Sequence, residues 1–175
     1  MLRFRRNLPP KVSKAGAVLV AILTTGMAGG DGQIKDLWMF ISRMSASLKT
    51  LSATNLSDAA LPFKMMKDNK YIIFYNADDF PLADGTNITA IGLRLSKDNG
   101  GMAPLLNFSP SGQCITLDTV KKRYPQLVLT DYPRGRSENE VTSYTAPKDV
   151  NGQKVSFSFT VKKPDCLGSV VISAE

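Results

Sequence analysis

The stretch Val150-Asn-Gly-Gln-Lys-Val-Ser-Phe-Ser-Phe-Thr-Val161 decides the fold class. Asn-Gly is the dipeptide of a two-residue hairpin turn, because the central residues of such a turn need positive φ. Beyond it, Val155, Phe157, Phe159 and Val161 alternate with Ser156, Ser158 and Thr160. Successive side chains of a strand point to opposite faces, so one face here is core and the other wet. The turn predicts a partner strand at Val141–Thr145 and hence an antiparallel sheet.

The same reading extends in both directions. Ser169–Ser173 and Gln126–Thr130 are further strand candidates, and Tyr71–Tyr75 is a compact β run ahead of Asn76-Ala-Asp-Asp79. Asn87–Leu95 alternates, with Ile88, Ala90, Gly92 and Arg94 on one side and Thr89, Ile91, Leu93 and Leu95 on the other. Lys97-Asp-Asn-Gly100 then turns the chain, and Pro104–Phe108 reads as the returning strand. Upstream the period changes. Ile34, Leu37, Trp38, Ile41, Met44, Leu48 and Leu51 recur at steps of three and four, with Asp36, Arg43 and Lys49 on the opposite face. That spacing predicts an amphipathic helix over roughly 34–52. A short helical turn is expected at Ser57-Asp58, ending before Pro62. Leu117, Val120 and Tyr124 predict a second short helix after Cys114, closed by Pro125. The expected fold is α+β: an N-terminal amphipathic helix packed on a largely antiparallel sheet, in one domain over residues 31–175.

Residues 1–30 read as a signal or leader segment. Arg3, Arg5, Arg6, Lys11 and Lys14 precede sixteen uncharged residues, Ala15–Gly30. A basic start, a short apolar stretch and small residues are the parts of an export signal. Sixteen residues fall short of the about 20 that a spanning helix needs. Gly26-Met-Ala28 places small residues for cleavage after Ala28, and Arg5-Arg6 also fits a twin-arginine route. The expected location is the bacterial periplasm or cell surface, with membrane contact only through an uncleaved N-terminal segment. The whole chain carries 22 basic and 15 acidic side chains, a net charge of +7. All fifteen acids follow residue 30, so from Asp31 onward the balance is 17 against 15, or +2. The basicity therefore belongs to the leader and does not indicate a nucleic-acid partner.

Cys114 and Cys166 are the only cysteines, and an even pair in an exported chain reads as a disulfide. The chain has no histidine. Serine and cysteine hydrolases lose their usual general base, and zinc sites lose their commonest nitrogen ligand. Asp78-Asp79 and Glu138-Asn-Glu140 bring carboxylates together, but in polar, turn-like surroundings. Nothing resembles a phosphate loop. The expectation is a non-enzymatic protein with no cofactor and no metal. Its candidate interface is Tyr132, Arg134 and Arg136, in the polar stretch Asp131–Glu140, since Tyr and Arg are favoured interface anchors. The plainer reading of that stretch is a solvated loop whose arginines are neutralised by Glu138 and Glu140.

The order of parts resembles a b-class type IV pilin. Lys14-Ala-Gly16 is similar to a leader end, and Ala28-Gly-Gly30 to the small residues that follow a pilin's apolar segment. Ala60-Leu-Pro62 and Gln113-Cys-Ile-Thr-Leu-Asp-Thr-Val120, running to Tyr124-Pro125, are similar to the cysteine-led helix region of the head. Five residues after Gly16 stands Ala21, where such chains carry a glutamate. The C-terminal half is also similar to the helix-and-three-strand module of beta-lactamase-inhibitor and outer-membrane-assembly lipoproteins. The first resemblance implies a pilin-like filament or assembly subunit. The second implies a soluble periplasmic protein of inhibitor or immunity type, whose partner is a toxin or enzyme. Both imply work done through protein–protein contacts.

Overall fold

An amphipathic stripe becomes a helix only where its first N–H groups find acceptors. In the computed structural model, which describes residues 33–97 and 101–174, that acceptor is Asp36. Its carboxylate accepts the Met39 N–H at 2.8 Å, and α1 runs from Leu37 to Leu48. The helix is shorter than the periodicity predicted. Ile34 and Lys35 are held outside it because their carbonyls accept the N–H groups of Ala83 and Asp84, both at 3.0 Å. Ile34 and Leu51 are nevertheless buried, so the apolar stripe outlasts the helix at both ends. Phe40 and Ser45 are buried too, on positions that the stripe left out.

A 3₁₀ turn at Leu56–Asp58 leads into the strands. These are β1 (Lys64–Asp68), β2 (Ile72–Ala77), β3 (Phe80–Pro81), β4 (Asn87–Ser96) and β5 (Leu105–Ser111). Helix α2 (Leu117–Arg123) follows, then β6 (Val128–Asp131), β7 (Val141–Thr145), β8 (Gln153–Thr160) and β9 (Ser169–Ala174). All pairings are antiparallel, in the order β1-β2-β4-β5-β9-β8-β7-β6, with β3 also paired to β4. The described residues are thus α+β: a nine-stranded sheet and two α-helices. The leader readings for residues 1–30 and most of the turn at Lys97–Gly100 fall outside the described residues.

One expected alternation is overturned. Ile88 and Ile91 both face the core, with Leu93 and Leu95, although sequence parity places Ile88 opposite the other three. The cause is a bulge. Thr89 pairs Ser109 and Gly92 pairs Asn107, so two residues of β4 oppose one of β5. Ala90 absorbs the extra residue at φ 50°, and the pleat changes sides there. Val161 is a smaller departure. β8 ends at Thr160, and Val161 is exposed rather than continuing the inward series.

Both helices lie on the same face of the sheet. Trp38 of α1 meets Phe157 edge-on at 6.4 Å, and Tyr124, which caps α2, lies 4.9 Å from the same ring. Phe40 packs edge-on against Phe108 at 5.0 Å. Phe40, Phe108 and Phe157 are fully buried and form the centre of the core. Each such side chain contributes on the order of 2–3 kcal/mol of burial. The opposite face is hydroxyl-rich. Ser143 bonds Ser158, and Thr145 bonds Ser156, each at 2.8 Å.

Cys114 and Cys166 are joined across 52 residues. Beside the bridge, Leu167 N–H donates to Ile115 O at 2.8 Å, so backbone pairing and covalent link hold the same two segments. A second tie lies at the other end of the molecule. Asp149, in the β7–β8 loop, accepts the hydroxyl of buried Ser45 on α1 and the N–H groups of Asn151 and Gln153 at 2.8 and 2.9 Å. It fastens the first helix to the hairpin whose sequence predicted the sheet.

Candidate functional site

The loop between β6 and β7 is built around one carboxylate. Gly135 turns the chain at φ 77°, a conformation that glycine adopts without strain. This lets three successive backbone N–H groups converge. Arg134, Gly135 and Arg136 donate to the Glu140 carboxylate at 2.6, 2.9 and 2.9 Å. Partial removal from water works against ionisation of Glu140. The N–H groups of Arg134, Arg136, Gly135 and Ser137 outweigh it and hold its pKa below the usual value.

The expectation that the acids neutralise the arginines is therefore corrected. Glu140 is satisfied by the backbone, and Glu138 faces Lys162 at a loose 3.7 Å. Among the described residues neither Arg134 nor Arg136 forms an ion pair, and both are exposed. Tyr132 is 62% exposed next to them. The three candidate residues line one shallow depression of about 360 Å³, together with Asp131, Asn139, Glu140 and Val141. The site thus presents an aromatic ring and two guanidinium groups on a loop whose backbone is tied down from within.

The adjacent carboxylates Asp78 and Asp79 are both exposed. Asp78 pairs with Lys64 at 2.7 Å, with both side chains largely exposed, where an ion pair contributes little. A cleft of about 930 Å³ is lined mainly by Leu51–Thr54, Ile73, Leu95, Met102 and Pro104. Among the described residues its lining offers one ionisable side chain, Lys97, which is engaged by Asp68, and no nucleophile–base pair. Among the described residues no three Asp, Glu or Cys side chains cluster as metal ligands. No helix among them is long and apolar enough to cross a membrane.

Sequence reading proposed Tyr132, Arg134 and Arg136 as interface residues from composition; the structure shows them exposed, with Glu140 bound by backbone N–H groups rather than by the arginine side chains. Three consecutive amides closing on one carboxylate depend on a single glycine's φ, and Gly135 marks only that a turn exists. No family model, no curated protein and no solved structure matches the chain.

Proposed function

We propose that this chain is an exported cell-envelope protein that acts by binding another protein rather than by catalysis. The observation that carries this reading is the Glu140-tied loop, which holds Tyr132, Arg134 and Arg136 exposed and without competing ion pairs. A loop fixed before binding loses less conformational freedom on association. The Cys114–Cys166 bridge supports an oxidising compartment.

Of the two forms this function takes, the soluble inhibitor or immunity type is favoured over a pilin-like subunit. α1 starts at its own cap, Asp36, with Ile34 and Lys35 bonded to the loop before β4. A first helix capped in this way is not the direct continuation of a helical stem. The processed N-terminus separates the two forms. Intact mass of the exported protein is expected to give a start at Gly29, and a start at Ala17 with a methylated amine supports the filament form instead.

The binding function is tested in the producing cell with a photo-crosslinking residue at position 132 of the full-length chain. A single discrete protein adduct is expected, and replacing both Arg134 and Arg136 by alanine reduces it at least fivefold. An adduct absent, or unaffected by the arginines, overturns the reading.

A further inference from the structure

Two asparagines of the chain precede a glycine, Asn99 and Asn151, and Asn151-Gly152 lies among the described residues. Neighbours of these two types can react with each other. The glycine nitrogen closes a cyclic imide on the asparagine side chain, and glycine carries no side chain to obstruct the closure. The surroundings in the β7–β8 loop are open. Val150 is 96% exposed, and nothing lies within 4 Å of the place a Cβ on Gly152 would take.

Asp149 holds the two reacting groups. Gly152 N–H donates to Asp149 O at 2.9 Å, so the attacking nitrogen is engaged as a donor. Asn151 N–H donates to Asp149 Oδ1 at 2.8 Å, and Asn151 Nδ2 faces Asp149 Oδ2 at 3.5 Å. The side chain under attack is thus tethered on the same residue. Oδ1 also accepts the Gln153 N–H at 2.9 Å, and Oδ2 accepts the Ser45 hydroxyl from α1. One aspartate therefore restrains the Asn-Gly pair and fastens the first helix to the hairpin.

We propose that Asn151 is a self-modification site, guarded by Asp149, whose conversion unfastens α1 from the β7–β8 loop. The Gly152 nitrogen gives up its proton and bonds to Asn151 Cγ, the Cγ–Nδ2 bond breaks, and ammonia leaves with that proton. Water then opens the imide at either carbonyl, giving aspartate or isoaspartate. Either product ends the present arrangement. Where Nδ2 now points a donor at Asp149 Oδ2, an ionised aspartate has only acceptors. That loss of a donor stands whatever charge Lys148 and Lys154 contribute nearby. Isoaspartate instead lengthens, by one backbone atom, the turn that the Gly152 N–H closes. The change is slow and one-way, and it needs no partner, so it stands apart from the binding function.

The test incubates the full-length chain, folded and in urea, in mildly alkaline buffer. Conversion at Asn151 is read by peptide mapping, separately from that at Asn99. The folded chain is expected to convert at Asn151 about tenfold more slowly than the chain in urea. D149A should raise the folded rate about fivefold, whereas S45A, which cuts only the tie to α1, should leave it within about twofold. The aspartate product is made directly as N151D. Its amide exchange at Gln153 and at Ser45–Leu48 of α1 should be about tenfold faster than in the parent, with Val170 and Ile172 unchanged. Folded conversion as fast as in urea, D149A without effect, S45A accelerating as much as D149A, or N151D exchanging like the parent each overturn the proposal. If D149A has unfolded, seen as lost protection at Val170 and Ile172, the N151D comparison decides.

Discussion

Asp149 shows how much one side chain settles at the scale of residues. It receives the Ser45 hydroxyl from α1 and two backbone N–H groups of its own loop. Partial burial raises its pKa, but the bonds from Ser45, Gln153 and Asn151 outweigh that, and the net displacement is downward. A carboxyl with a depressed pKa in the folded state stabilises the fold fully above its unfolded value, near 4. That stabilisation is lost as pH falls through the folded value. Glu140 behaves in the same direction. Urea midpoints are therefore expected to be flat near neutrality and to fall below about pH 5. Asp149→Asn should lower stability by about 1–2 kcal/mol at pH 7 and flatten the acid limb. A midpoint that ignores both pH and this substitution contradicts the account. Glu140→Gln should act locally, speeding amide exchange at Arg134, Gly135 and Arg136 while the core amides keep their protection.

At the scale of elements, β4 is the instructive case. Its bulge places Ala90 at φ 50°, where a Cβ is strained and glycine is not. Ala90→Gly is thus expected to be neutral or stabilising by up to about 1 kcal/mol, and Ala90→Val destabilising by about 1–2 kcal/mol. Thermal melts of the two variants check the ordering, and Ala90→Val melting above Ala90→Gly refutes it. The bulge also marks the limit of what the sequence could disclose. β8 was legible because Val155, Phe157 and Phe159 alternate without interruption, and α2 because Leu117, Val120 and Tyr124 recur at helical spacing ahead of Pro125. Ile88 and Ile91 were misassigned because parity along β4 holds only within an unbroken ladder. β1 escaped because Lys64-Met-Met-Lys-Asp68 is exposed at every position, so no burial pattern was there to read. The loop at 132–140 was legible as a loop, with Tyr132, Arg134 and Arg136 exposed on it. Its internal wiring was not, since backbone amides leave no trace in composition.

For the whole molecule, the disulfide and the aromatic centre are the two largest single contributions to predict. Closing a loop of 52 residues restricts the unfolded chain by about 4 kcal/mol in loop-closure entropy. Replacing both cysteines by alanine should remove most of that, read as a lower denaturant midpoint, and thiol labelling of the native protein should find neither cysteine. Phe108→Ala empties the space between Phe40 and the inner face of the sheet, and is expected to cost about 3–5 kcal/mol. If that variant unfolds at the same denaturant concentration as the parent, the core has been misplaced.

The strand order carries a last consequence, which concerns timing. β1, β2, β4 and β5 form one run of neighbours, and β6, β7 and β8 another. β9, which follows all of them in the sequence, lies between β5 and β8 and is the sole ladder joining the two runs. During synthesis the two arrays can each begin to form, yet they have no common sheet until Ser169–Ala174 emerges. Among the described strands β9 is made after all the others, so the two arrays become one sheet only when it emerges, and a chain halted before Ser169 holds two arrays with no ladder between them.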